Sequence, residues 1–250
     1  MIPGLEIFKE YFRDYKDHYV LIGGSALDIV LENTGIEARV TKDFDIVLIA
    51  EALTPGFGKQ FWKFINDGNY KNKARSDGTP QYFRFESPEE QNFPTMIEIL
   101  SRTENVLGTS GHTFIRIPIT DSISSLSAIL LDQEYYSLVA SGKTIRDDIA
   151  ILEPQYLLLL KIKAWLNLCE KKEKGEHVNK HDISKHITDV IRLTVILPGD
   201  VKYEIADGIK KDVDEFVVKY KASPIDPRSM GIKGVSIDDI ASVLSGLYFG

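Results

Sequence analysis

Cysteine is nearly absent: Cys169 is the only one in 250 residues. An internal disulfide is therefore excluded, and no thiolate cluster exists for zinc or an iron–sulfur centre. Any metal is expected to be held by carboxylates. Long apolar runs are missing too, since none approaches the roughly 18 residues of a membrane span, and the opening MIPGLEIFKEYF has no basic segment followed by an apolar one. A soluble, unprocessed, cytoplasmic protein with no membrane partner is expected. Positive charge is in deficit: 30 Lys and Arg against 37 Asp and Glu leave a net charge of −7. That argues against a broad electrostatic surface for nucleic acid and against reading of DNA sequence, so any contact with RNA is expected to be local. There is no internal repeat and no low-complexity tract, and the charged stretch KKEKGEHVNK at 171–180 reads as a solvated connection between helices. What remains is an ordinary globular composition, 43% hydrophobic and 27% charged. It can build one large domain or two modest ones.

The apolar patterning divides the chain near residue 150. Leu5, Phe8, Phe12 and Tyr15 recur at helical spacing over 5–18, and Tyr19–Ile22 is a short apolar run stopped by Gly23-Gly24. Ser25 is expected to cap the next helix, whose apolar residues run to the stop at Asn33-Thr34-Gly35. Phe44–Ile49 reads as a strand and Gly58–Ile65 as a helix. Further strands are expected at Tyr82–Phe85, Met96–Leu100 and Phe114–Ile117, with Tyr135–Val139 and Thr144–Leu152 flanking a turn at Ser141-Gly142. After Pro154 the pattern becomes almost wholly helical, at 155–172, 181–196, 201–220 and 236–248. The expected architecture is an α/β (α+β) domain with a mixed sheet over 1–150, followed by a helical bundle over 151–250.

One stretch raises a chemical question. In GGSALDIVLENTGIEARVTKDFDIVLI, starting at Gly23, two glycines sit where a strand ends, and Asp43 and Asp45 open the next strand one residue apart. Carboxylates so spaced stand on one face of a strand and repel unless something positive lies between them. A strand, Gly-Gly-Ser and a helix N-terminus set beside such a pair would serve phosphate and magnesium together. Backbone N–H groups and the helix dipole receive phosphate oxygens, and hard carboxylate oxygens suit Mg²⁺, which keeps a few protein ligands alongside substrate phosphates. A third acid is expected from a neighbouring strand, and Glu98, isolated between Ile97 and Ile99, is placed for it. The alternative is that it pairs with an arginine such as Arg84 or Arg102. Three carboxylates on two Mg²⁺ ions form the site that helps a hydroxyl attack an α-phosphate while pyrophosphate departs.

These residues resemble the nucleotidyltransferase superfamily with the DNA polymerase beta-like fold. The resemblance rests on Ile22-Gly23-Gly24-Ser25, on Asp43-Phe44-Asp45 and on Glu98. Within that superfamily the chain is most similar to the AbiEii-type branch, the type IV abortive-infection toxins. Their pattern Gly-Gly-Thr-Ala-Leu followed by Arg-x-Thr-x-Asp-x-Asp is met by Gly23–Leu27 and by Arg39-Val40-Thr41-Lys42-Asp43-Phe44-Asp45. The branch also carries a lysine on a helix of its second half and a later helical aspartate after a basic residue. Lys161 and Lys185-His186-Ile187-Thr188-Asp189 occupy those places, although the branch commonly has Arg-Asp where this chain has Lys185-His186. The similarity covers roughly residues 19–195. It implies transfer of a nucleotidyl group from an NTP to a hydroxyl of a macromolecular acceptor, tRNA or protein, with a two-metal Mg²⁺ site and a cognate antitoxin. It further implies that Gly23, Gly24, Ser25, Arg39, Thr41, Lys161, Lys185 and Asp189 face the nucleotide, and that Asp43, Asp45, Glu98 and Lys161 carry the catalysis.

Other readings of the same residues stay open. Lys185 and Asp189, one turn apart, can be a plain helix pair, and Lys161 can be a surface lysine. Lys161 and Lys163 cannot share a helix face, because two residues turn the helix by about 200°. The run Ser141-Gly142-Lys143-Thr144 lacks the glycine-rich loop of a phosphate-binding motif and is expected to be a hairpin turn. His177, His181 and His186 are too loosely spaced to make a zinc site the leading idea. A non-catalytic nucleotide-binding module, or an enzyme that adenylylates an antibiotic, would use the same front half.

Overall fold

In the computed structural model, which describes residues 2–74, 80–101 and 129–249, the chain opens with a helix at Leu5–Phe12 (α1) and a single 3₁₀ turn at Arg13–Tyr15. The helix expected over 5–18 is thus shorter than its periodicity suggests. Strand β1 (Tyr19–Ile22) follows, then helix α2 (Gly23–Leu31), strand β2 (Asp43–Leu48) and helix α3 (Pro55–Asp67). Helix α3 begins where its sequence says it can: Pro55 at the first turn has no N–H to lose, and Thr54 Oγ1 accepts the Phe57 N–H at 3.2 Å. Strands β3 (Lys71–Ala74), β4 (Pro80–Glu86) and β5 (Met96–Leu100) complete one side of the sheet.

The described strands form a seven-stranded mixed sheet in the order β3-β4-β5-β2-β1-β7-β6, where β6 is Lys143–Arg146 and β7 is Ile149–Leu152. Strand β2 runs antiparallel to β1 and parallel to β5, β4 runs antiparallel to β5, and β1 runs parallel to β7. The α+β architecture with a helical second half is the one the patterning leads us to expect. Helices α5 (Pro154–Glu173), α6 (Lys180–Ile196), α7 (Asp207–Ala222) and α8 (Ile237–Phe249) make up that half. None of the described helices is long and apolar enough to cross a membrane.

Three expectations are corrected. Tyr135–Val139 is not a strand: it lies in helix α4 (Gln133–Ser141), opened by Asp132, whose Oδ1 accepts the N–H groups of Glu134 and Tyr135. The aromatic pair suggested a strand, but the capping aspartate decides for helix. Consequently Ser141-Gly142 joins a helix to a strand, and the hairpin lies one element later, between β6 and β7. Its turn is Asp147-Asp148, both at positive φ (47° and 65°), the conformation that fits the twist of a two-residue hairpin. The helix expected from 201 begins only at Asp207, because the Tyr203 N–H is bonded to the Leu247 carbonyl at 2.8 Å and that segment is drawn onto α8. The strand expected at Phe114–Ile117 lies outside the described residues.

The two faces of β2 divide the labour. Successive side chains of a strand point to opposite faces. Phe44 is fully buried against α1, its ring 5.3 Å from that of Phe8, which in turn packs on Tyr19 at 5.4 Å and Phe64 at 5.6 Å. Asp43 and Asp45 are thereby turned to the other face, where α2 packs on β2 and touches α5 and α6.

Candidate active site

Strand β1 is buried along its whole length and delivers the chain directly into α2. Gly23 sits there at φ +71°, in the left-handed region that glycine adopts at little cost. Space demands glycine as well: a Cβ on Gly23 would lie 1.9 Å from Asp45 Oδ2, and one on Gly24 would lie 2.8 Å from Thr41 Oγ1 and 2.9 Å from Arg39 Nη2. Four parts of the sequence motif, the glycine pair, Arg39, Thr41 and Asp45, are thus in contact through the absence of side chains at 23 and 24. The first N–H groups of a helix have no partner within that helix, so this junction presents donors beside a carboxylate.

Ser25 does not cap α2. The helix already starts at Gly23, and the fully buried Ser25 donates its hydroxyl hydrogen to the Asp43 carbonyl at 2.5 Å, tying α2 to β2. Only its backbone N–H is left for a ligand.

Register brings the acids together. Asp45 stands opposite Glu98 on the parallel neighbour β5, so the two share a face, and Asp43 belongs to that face by period two. Neither the Asp43 nor the Asp45 side chain has a hydrogen bond or ion pair among the described residues. Burial and the adjacent Glu98 carboxylate push the Asp45 carboxyl up to about 7. Burial raises Asp43 as well, against the pull of Arg39 and Arg84. Glu98 is buried and bonded through Oε2 to Arg84 Nη2 at 2.5 Å, while its Oε1 is buried with no partner. The arginine pairing anticipated as an alternative for Glu98 is therefore the one present. With Glu98 drawn toward Arg84, no three His, Cys, Asp or Glu side chains among the described residues are gathered closely enough to hold a metal as they stand.

The residues nonetheless fit Mg²⁺ chemically. The donors are hard oxygens, the buried Glu98 Oε1 has no hydrogen-bond partner among the described residues, and burial together with the neighbouring Glu98 and Asp43 carboxylates raises the Asp45 carboxyl. Mg²⁺ would be held by Asp43, Asp45 and Glu98.

On the helical side Lys161, one of the most buried lysines possible at 2% exposure, donates to Asp189 Oδ2 at 2.8 Å. Arg39 Nε approaches the same oxygen at 3.5 Å, and Arg192 lies 3.7 Å from Oδ1. Asp189 is completely buried and therefore braces three cations from the loop before β2, from α5 and from α6. Lys161 is no surface lysine, and Lys185 pairs not with Asp189 but with Asp182, at 2.9 Å. His186 is buried with Nδ1 unpartnered and is driven down to about 2 by burial and by the charges of Lys161, Lys185 and Arg39, so it stays neutral. Arg192 went unnoticed in the sequence, although its i,i+3 spacing from Asp189 was there to be read. Lys163 points elsewhere, to Asp212 at 2.8 Å.

No protein-family model matches this chain, and no curated protein matches it.

Proposed function

We propose that this chain is a Mg²⁺-dependent nucleotidyltransferase that moves a nucleotidyl group from an NTP to a hydroxyl of a macromolecule, tRNA or protein, in the manner of an AbiEii-type toxin. One observation carries the reading: the Gly23-Gly24 helix start is packed against Asp45, which shares a sheet face with Asp43 and Glu98 and has no ion pair among the described residues. A phosphate-accepting backbone and a set of carboxylates on one face beside it are what a metal-bound triphosphate requires.

The roles follow from position. The N–H groups of Gly23, Gly24 and Ser25 receive phosphate oxygens, helped by the dipole of α2. Arg39, about a third exposed, carries its guanidinium beside Gly24 and balances phosphate charge, with Thr41 next to it. Lys161 and Asp189 act from beneath as a fixed buried pair that sets the position of Arg39. Lys185 stands near the same cluster, since its charge is felt by His186, Asp43 and Asp45. Asp43, Asp45 and Glu98 hold Mg²⁺, which when bound supplies charge neutralisation at the phosphoryl oxygens and lowers the pKa of the attacking hydroxyl. Glu98, with its unpartnered Oε1, is the carboxylate suited to take that hydroxyl's proton. A cognate antitoxin belongs to the same reading.

A non-catalytic nucleotide-binding module is the second reading, and the Arg84 guanidinium on Glu98 favours it, because an arginine held there would keep the third acid from metal. Each α-labelled NTP incubated with the protein and a lysate separates the two. Transfer predicts label in the RNA or protein fraction, lost in Asp45→Asn; a binder retains NTP and labels nothing. Label confined to small molecules would indicate an antibiotic-type acceptor instead.

A further inference from the structure

Arg84, Glu98 and Asp45 stand in one row across β4, β5 and β2: Arg84 is the antiparallel partner of Glu98, and Glu98 the parallel partner of Asp45. Directly paired residues share a face, so the guanidinium lies beside the carboxylates rather than behind them. Its charge is felt by Asp43 as well. The bridge it makes is half formed. An arginine fork can satisfy both oxygens of a carboxylate, yet here Oε2 is bonded while Glu98 Oε1 and Arg84 Nε are both buried without hydrogen-bond partners among the described residues. Exposure is asymmetric too: the Glu98 side chain is 5% exposed and that of Arg84 26%. The carboxylate is fixed in the sheet, and the cation has an open side into which it can withdraw.

Building on the carboxylate metal site proposed above, we propose that Arg84 is a resident counter-cation, holding Glu98 until a divalent cation binds and then giving it up. Guanidinium and metal compete for one carboxylate. The half-made bridge is the form such an exchange needs, because a fully bidentate pair would hold Glu98 against the metal and an empty site would leave three like charges on one face. Arg84 thereby sets the metal threshold of the site, and its freed guanidinium remains at the lip where the triphosphate lies.

The test uses Mn²⁺ alone as the probe, without nucleotide, followed by electron paramagnetic resonance. Arg84→Gln removes the competitor, so Mn²⁺ should bind about 10- to 150-fold more tightly, the range of a charge-assisted hydrogen bond. Arg84→Lys should fall between, and Glu98→Gln should bind weakly with or without Arg84. A second readout needs no variant: the Arg84 Nε–H signal in nuclear magnetic resonance, assigned by correlation through the side-chain carbons to the Arg84 backbone, should shift when the protein is saturated with Mg²⁺. Unchanged or weaker Mn²⁺ binding in Arg84→Gln, or an Arg84 signal indifferent to Mg²⁺, overturns the exchange while leaving the metal site standing. Absence of Mn²⁺ binding in every form overturns the metal site, and the exchange with it.

Discussion

Lys161 and Asp189 bury opposite charges 2.8 Å apart, with side-chain exposures of 3% and 0%, whereas Asp43 and Asp45 set like charges, half-buried, on one face of a strand with no ion pair among the described residues. The helical half answers its charge from within the chain. Among the described residues the carboxylates of the sheet are met by one half-formed bridge, from Arg84 to Glu98. Desolvation makes such an arrangement costly in a protein without ligands. On the proposed reading, the arrangement at the start of a glycine-opened helix is one that a bound cation would relieve. The contrast also reassigns Lys161: its first partner is Asp189, so under the proposed function its part is that of a fixed charge and a support for Arg39.

The largest consequence is in stability. Asp189→Ala should cost about 3–5 kcal/mol in urea denaturation, because it leaves Lys161 buried without its partner, and Lys161→Ala should cost a similar amount. Replacing the two together with Met and Leu should cost much less than the sum. Asp45→Asn, at a half-buried position, should change stability by under about 1 kcal/mol or raise it, since it removes a repelling carboxylate. Equal destabilisation by Asp45→Asn and Asp189→Ala would show that both regions are merely structural.

A smaller effect lies in pH. The folded protein holds Asp45 at about 7, against an ordinary 3.8, so between about pH 4 and pH 7 the folded state binds a proton that the unfolded chain has lost. Stability of the metal-free protein should therefore fall as pH rises through that window, by at most about 1.4 kcal/mol per unit, and level off above 7. Acids whose carboxyls are lowered by partners, such as Asp17 beside Lys143 and Asp148 beside Lys16, pull the total curve the other way. The difference between the unaltered protein and Asp45→Asn, measured in chelator, isolates the group. A difference that does not vary from pH 4 to 7 would mean that Asp45 is an ordinary solvated carboxylate.

How much of this was legible in the sequence follows from the range of each interaction. The glycine pair, Asp43 and Asp45 could be read because strand period and turn chemistry are local. Glu98 could be suspected from its isolation among isoleucines, but its pairing with Arg84 depends on a register between β4 and β5 that no local pattern encodes. Ser25 misled because a serine after two glycines looks like a cap, and only the packing of α2 on β2 turns its hydroxyl inward to the Asp43 carbonyl. Asp189 drew notice as a nucleotide contact through the resemblance. That it lies at zero exposure among Lys161, Arg39 and Arg192 is a property of three elements brought together by the fold. Residues 135–139 failed for a different reason: Tyr-Tyr and Val favour strands, yet Asp132 caps a helix there.

The smallest expected effect marks the edge of the buried cluster. Lys163 lies two residues from Lys161 and is bonded to Asp212 on a partly exposed surface. Lys163→Ala should cost no more than about 1 kcal/mol and leave label transfer unchanged. A loss of transfer matching that of Lys161→Ala would move the functional face of α5.

Thermal unfolding with and without Mg²⁺–NTP tests the central claim most directly, because it needs neither the acceptor nor turnover. At 100 times its Kd the nucleotide should add about 2.7 kcal/mol to the folded state. For a chain of this length that raises Tm by roughly 5–10 °C. The account predicts this rise in the unaltered protein, dependent on Mg²⁺, and its disappearance in Asp45→Asn with the starting Tm preserved or higher. An equal rise in both proteins, or none in either, would contradict it.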